Sequence, residues 1–105
     1  MSTPEANDND KQFSEIIDAF VVLANDKAKT TPPQMVSAGL QFASSRFCAY
    51  LLAGTSTSKE HFLEQKEEAI KYFMGQFEQM LRDNVTDYEN NYEQYQNWDG
   101  SKPAE

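Results

Sequence analysis

The sequence predicts an all-α protein, a small helical bundle of three main helices with a C-terminal helical extension. Apolar residues recur at intervals of three and four along most of the chain, three such runs follow capping-box spacing, and no alternating strand pattern is present. The length of 105 residues suits one domain. We expect a disordered arm at residues 1–8, the helical bundle domain at 9–98 and a disordered tail at 99–105.

The first helix is expected to begin at Asn9, because Asn9 and Gln12 have the spacing of a capping box. Its apolar face then repeats at the helical interval, with Phe13, Ile16, Ile17, Phe20 and Ala24. Polar residues at 25–29 lead into Pro32-Pro33, which marks a helix boundary.

The second helix is the most apolar stretch of the chain. Thr31 and Gln34 have capping-box spacing, but Pro33 disfavours a helical conformation at Pro32, so the start can shift by one residue. We expect the helix to end near Ala53. One apolar face comprises Val36, Gly39, Leu40, Ala43, Phe47, Tyr50 and Leu51, and a second comprises Met35, Ala38, Phe42, Ala49 and Ala53. A helix apolar on most sides is usually buried, so this one is predicted to be the central helix of the bundle.

The third helix is expected to begin at the capping-box spacing of Thr57 and Glu60. Its apolar face comprises Phe62, Ala69, Ile70, Phe73, Phe77, Met80 and Leu81. The pattern continues past a candidate break at Asp83-Asn84, which leaves either one long helix or two in succession. Asp99-Gly100 is predicted to end it.

Charge and composition exclude several classes of partner. Nine Lys and Arg against 17 Asp and Glu give a formal net charge of −8, without the clustered cations that nucleic acid or an anionic membrane requires. The apolar stretch of the second helix contains polar residues at its middle, Gln41, Ser44, Ser45 and Arg46, which argues against a membrane span. Cys48 has no cysteine to pair with, and the first residues do not resemble a signal peptide, so we expect a cytoplasmic protein.

Arg46 is the one charge inside the apolar stretch from Thr31 to Gly54. A buried guanidinium needs a partner, and we predict a structural ion pair with Asp18 on the first helix, a glutamate early in the third helix being the alternative partner. The alternatives to an ion pair are that Arg46 forms an anion or ligand site, or that it is simply exposed to solvent.

The sequence contains no recognisable catalytic, cofactor or metal site. His61 lies among carboxylates at Glu60, Glu64, Glu67 and Glu68, but the Glu-x-x-His motif of helical di-iron proteins is absent, and no metal or cofactor is expected. Cys48 is predicted to pack in the core as an unreactive thiol, with a redox role as the alternative.

An aromatic series lies near the C-terminus, at Tyr88, Tyr92, Tyr95 and Trp98. These residues continue the helical spacing among Asp, Glu and Asn. Tyrosine and tryptophan are enriched at interfaces. The series is predicted either to dock on the core of its own chain or to form an interface with another chain.

Two segments resemble a small bacterial family known only as a domain of unknown function, number thirty-one forty-four. They are VSAGLQFASSRFCAYLLAG and KEEAIKYFMGQFEQMLRDNVTDYENNYEQY. The most specific positions are Val36, Ser37, Ala38, Arg46, Phe47, Tyr72, Phe73, Gln76, Met80 and Leu81. The resemblance spans roughly Phe13 to Tyr95, although Ser44 and Ser45 stand where the family is usually alanine-rich. It implies a stand-alone cytoplasmic helical protein and carries no activity, cofactor or catalytic residue.

These observations favour a non-catalytic protein-interaction module that self-associates as a homodimer. Binding to a different protein is the other form that this interaction could take. The same observations leave two alternatives open. One is a small-molecule-binding or enzymatic bundle that uses Arg46 and a carboxylate. The other is an acidic chaperone-like or antitoxin-like binder of a basic partner, which the net charge would favour.

Overall fold

The computed structural model of the chain describes residues 4–96. Four helices follow one another: α1 at Pro4–Lys27, α2 at Pro33–Thr55, α3 at Lys59–Asn90 and α4 at Tyr92–Tyr95. No strand occurs within this range. The prediction of an all-α fold with three main helices and a short C-terminal helical extension is confirmed.

The chain divides into two units. The described part of the first unit, residues 4–40, contains α1 and the beginning of α2. The second unit, Gln41–Gln96, contains the rest of α2, all of α3, and α4. In the second unit the short turn of residues 56–58 joins α2 to α3, and residues of both helices line two common clefts; we call this pair of helices the hairpin.

The first helix begins at Pro4 rather than at Asn9, so the second half of the expected arm is helical. Proline suits the first turn of a helix, where its missing N–H would have no intrahelical partner. The helix ends close to the predicted place. The amide of Ala28 donates to the carbonyl of Ala24 at 2.9 Å, and tighter turns follow at Lys29 and Thr30.

The second helix begins at Pro33, one residue later than a cap at Thr31 would place it. The carbonyl of Pro32 accepts hydrogen bonds from the amides of Met35 and Val36, at 3.0 and 3.2 Å. At the other end, the hydroxyl of Thr55 donates to the carbonyls of Leu51 and Leu52, both at 3.2 Å. These side-chain bonds satisfy terminal carbonyls and extend α2 two residues past Ala53.

The third helix is capped by Ser58, not by Thr57 as predicted. The hydroxyl of Ser58 accepts from the amide of His61 at 3.0 Å, and Nδ1 of His61 accepts from the amide of Thr57 at 3.2 Å. His61 therefore reaches back to the turn, as a glutamate does in a capping box.

The third helix continues unbroken through Asp83 and Asn84 to Asn90, so it is one long helix. Side-chain bonds one turn apart accompany this stretch. Arg82 Nε lies 2.8 Å from the carboxylate of Glu78, and Gln79 donates to Asp83 at 2.9 Å. Asn84 donates to the carbonyl of Met80 at 3.0 Å. Of the two alternatives left open at Asp83-Asn84, the single long helix is the one observed, and the polar residues there bond along the helix.

The expectation that α2 is a buried central helix is wrong for the single chain. None of residues 8–96 is buried, and Phe47, on the main apolar face of α2, is 60% exposed. In the second unit α3 is the only long helix beside α2. One neighbour can cover one side of a helix, which leaves the remaining apolar side chains facing water. Within residues 4–96, no helix combines the length and apolar character needed to cross a bilayer.

Candidate functional site

An open groove of about 820 Å³ lies between α2 and α3 in the second unit. The α2 wall consists of small or polar side chains, Gln41, Ser44, Ser45 and Cys48. The α3 wall is mainly apolar, with Ile70, Phe73, Met74, Phe77 and Leu81. Lys71 and Glu78 also line the groove and place opposite charges beside its apolar floor. Such a surface suits an apolar helix face better than a small polar ligand.

Except for Phe73, the apolar residues of the α3 wall belong to a longer series that we call the α3 stripe. Its members are Leu63, Ile70, Met74, Phe77, Leu81, Val85 and Tyr88. All seven are exposed, Met74 the most at 67%. Because α3 is continuous, their spacing places them on one face along nearly its whole length. The α3 stripe is therefore a continuous, solvent-exposed apolar surface of the second unit.

Gly75 lies in the groove near the middle of the α3 stripe. A Cβ atom built on Gly75 would meet no atom within 4 Å. Glycine in a helix interior costs about 1 kcal/mol relative to alanine. No packing within the described residues accounts for this glycine.

A second cleft, of about 510 Å³, lies where α2 ends and α3 begins, and it contains His61 and Glu68. Nδ1 of His61 is already an acceptor for the amide of Thr57, so this nitrogen belongs to the turn. Among the described residues, no three His, Cys, Asp or Glu side chains are grouped so that they could hold a metal ion.

Arg46 is exposed on α2, and its guanidinium carbon lies 5.3 Å from the ring centroid of Phe42. This geometry is a cation–π contact within one helix, worth about 0.5–1 kcal/mol at an exposed position. Asp18 lies in the first unit and Arg46 in the second, and the ion pair between them stays a prediction.

Cys48 is half-buried in the α2 wall of the groove and not in a closed core, which corrects its predicted placement. Its thiol is free. Ser44 and Ser45 stand on the same wall, one turn earlier along α2. Cys48 therefore contributes a small side chain to an open surface.

The C-terminal aromatic series is interrupted at Asn91, whose side chain donates to the carbonyl and carboxylate oxygens of Asp87 at 3.1 and 3.0 Å. The change in direction places Tyr95 against Tyr88, with ring centroids 4.5 Å apart. A hydrogen bond to Asp87, followed by partial desolvation, raises the pKa of Tyr95. We call these four residues the tyrosine clasp.

The aromatic series therefore does not continue at uniform helical spacing through Asn91. Tyr95 packs on Tyr88, and Tyr92 is 65% exposed. Trp98 lies outside the described residues. The role of the aromatic series at an interface stays a prediction.

Three features were missed by sequence reasoning. The Ser58–His61 cap was overlooked because a serine followed three residues later by histidine is not a standard capping-box signature. The tyrosine clasp was overlooked because helical spacing was continued through Asn91, although paired asparagines at 90–91 are a recognisable helix-end signal. The groove depends on how two helices meet, and no local pattern encodes that.

The fold and the groove together define an all-α helical protein with a long exposed apolar face. Residues 13–89 match a family model described as "Protein of unknown function (DUF3144)". The chain belongs to this family, which confirms the resemblance seen in its sequence. Comparison with curated proteins and with solved structures gave no match.

Proposed function

We propose that the protein is a non-catalytic interaction module of the cytoplasm that assembles with a second copy of itself. One observation carries the proposal. Residues 8–96 include no buried side chain, while large hydrophobic residues on α1, α2 and α3 are exposed.

This exposure is costly for a chain that remains alone in water. Burying a Leu, Ile, Phe or Met side chain is worth about 1.5–3 kcal/mol, and contiguous exposed apolar patches mark interaction sites. Helices gain most of their stability from packing of the apolar face. Association would supply the burial that the hairpin of α2 and α3 does not supply by itself.

The titratable side chains support binding rather than catalysis. Nδ1 of His61 is engaged in the turn, and the guanidinium of Arg46 lies over Phe42 on the outside of α2. Both side chains therefore make contacts within their own segment of the chain, and neither contact is an acid–base pair of the kind that proton transfer uses.

Sedimentation velocity over a range from low to high micromolar concentration tests the proposal. We expect the mass of two chains at the upper end and a melting temperature that rises with concentration, because mass action stabilises the associated state. Chains that sediment as monomers throughout, with a melting temperature independent of concentration, would contradict it.

Addition of a basic protein such as lysozyme tests the alternative that this acidic protein binds a basic partner. A salt-sensitive complex with that protein, formed by chains that remain monomeric alone, would favour the alternative instead.

A further inference from the structure

We propose that α3 pairs with α3 of a second copy in an antiparallel coiled coil centred near Gly75. This inference rests on the proposed function, because it specifies the surface through which two copies associate. Its evidence is the spacing of the α3 stripe, the distribution of charge beside it, and the open groove along it.

The α3 stripe follows the seven-residue repeat of a coiled coil, in which two core positions alternate at intervals of three and four residues. Leu63, Ile70 and Phe77 fall on one core position. Met74, Leu81 and Tyr88 fall on the other. Two core positions hold polar residues, Glu67 and Asn84. The seam therefore extends over most of α3.

An antiparallel arrangement matches these core residues with one another. When Met74 lies opposite the partner's Phe77, Ile70 lies opposite the partner's Leu81 and Leu63 opposite the partner's Tyr88. In the same register Glu67 lies opposite the partner's Asn84, so the two polar core residues meet. A two-fold axis repeats every pair, as in any isologous interface.

The charges beside the core favour this direction and identify a second copy as the partner. Antiparallel pairing brings Lys71 opposite the partner's Glu78, and Lys66 opposite the partner's Asp87. Parallel pairing would instead place Glu67 beside the partner's Glu67, and Lys66 beside the partner's Lys71. Like charges across a seam are repulsive, and flanking charges set the partner and orientation of coiled coils.

The groove opens along this side of α3. Lys71 and Glu78 line the groove, so the predicted ion pairs fall at its edge. Small or polar side chains form the facing α2 wall. Two hairpins joined through α3 would form a four-helix arrangement with the small residues of α2 at its border.

Charge reversal tests the register. We expect Lys71→Glu and Glu78→Lys each to weaken self-association at least about tenfold in Kd, because each variant places two like-charge pairs across the seam. An equimolar mixture of the two variants should form a heterodimer with affinity close to that of the parent. Sedimentation velocity and native mass spectrometry measure the affinity and the composition of the complex.

Asp83→Lys is the matched control, because Asp83 lies on the opposite side of α3 and should associate like the parent. Glu78→Lys also removes the ion pair between Glu78 and Arg82 within the chain, whatever the arrangement of the two copies. The mixture controls for this loss, because that ion pair is still absent when the two variants pair. Association that is unchanged in both reversed variants, or not restored on mixing, would overturn the antiparallel seam.

Stronger association of the Lys71→Glu variant would also overturn the antiparallel seam. It would indicate parallel pairing, in which the new glutamate meets the partner's Lys66. A parent protein that is monomeric at all concentrations would contradict the proposed function as well. A parent dimer insensitive to these charges would contradict only the register.

Discussion

Replacement of Met74 by alanine should separate the stability of the hairpin from the stability of the dimer. Met74 is 67% exposed in the single chain and lies at the centre of the α3 stripe. Alanine is the best helix former, so α3 itself should not be weakened. The loss should therefore fall on association.

The magnitude follows from the area that remains to be buried. Complete burial of a methionine side chain is worth about 1.5–3 kcal/mol, so the exposed two thirds of Met74 corresponds to about 1–2 kcal/mol for each copy. Two copies lose about 2–4 kcal/mol, which is a roughly 30- to 700-fold increase in the Kd of the dimer. Sedimentation velocity across a dilution series measures this change, and circular dichroism measures the helix content.

Met35→Ala is the matched control, since Met35 is 63% exposed but lies in the first turn of α2, outside the α3 stripe. We expect its Kd to stay near that of the parent. If Met74→Ala changes the Kd by less than about threefold, or if Met35→Ala weakens the dimer equally, the assignment of the seam to α3 is refuted.

Three further predictions concern local structure. Ser58→Ala should cost about 1 kcal/mol of stability in urea unfolding, whereas Thr57→Ala should cost much less, because only Ser58 accepts the amide of His61; equal losses would contradict this cap. The raised pKa of Tyr95 means that its contribution to stability is present below its ordinary value of 10.0 and is lost as pH rises through the folded-state pKa. Asp87→Asn should lower that pKa toward the ordinary value, as NMR titration of the Tyr95 ring can measure, and an unchanged titration would argue against the tyrosine clasp. Elemental analysis of the purified protein should show no stoichiometric iron, zinc or manganese, since the carboxylates beside His61 lack a complete ligand set, and a retained ion that Glu64→Ala removes would contradict this.

Most of the secondary structure could be predicted from the sequence, because apolar periodicity and capping residues are local signals. The boundaries at Pro33 and near Lys27 follow from proline and polar residues in the expected places. The start of α1 and the cap at Ser58 were missed, because several neighbouring residues are compatible with each role. A boundary depends on small energy differences between adjacent registers.

The burial of α2 could not be predicted in the same way. The stripes that contain Phe42 and Phe47 show which faces of the helix avoid water, but they do not show what covers them. Cover by another segment of the chain and cover by a second copy leave the same pattern in one sequence. The groove and the exposed α3 stripe become visible only when the positions of the helices are known.

The turn between α2 and α3 has a consequence for the order in which the protein assembles. The side-chain hydrogen bonds of Thr55, Ser56, Ser58 and His61 in this turn all join residues three or four apart. Such contacts form within microseconds, as fast as the helices themselves, and need no second molecule. Refolding should therefore begin with a rapid unimolecular phase that builds the hairpin, followed by a bimolecular phase whose rate rises with protein concentration. The chain would reach its partner with the turn already closed, so collision frequency rather than helix formation would limit the rate of assembly in dilute solution.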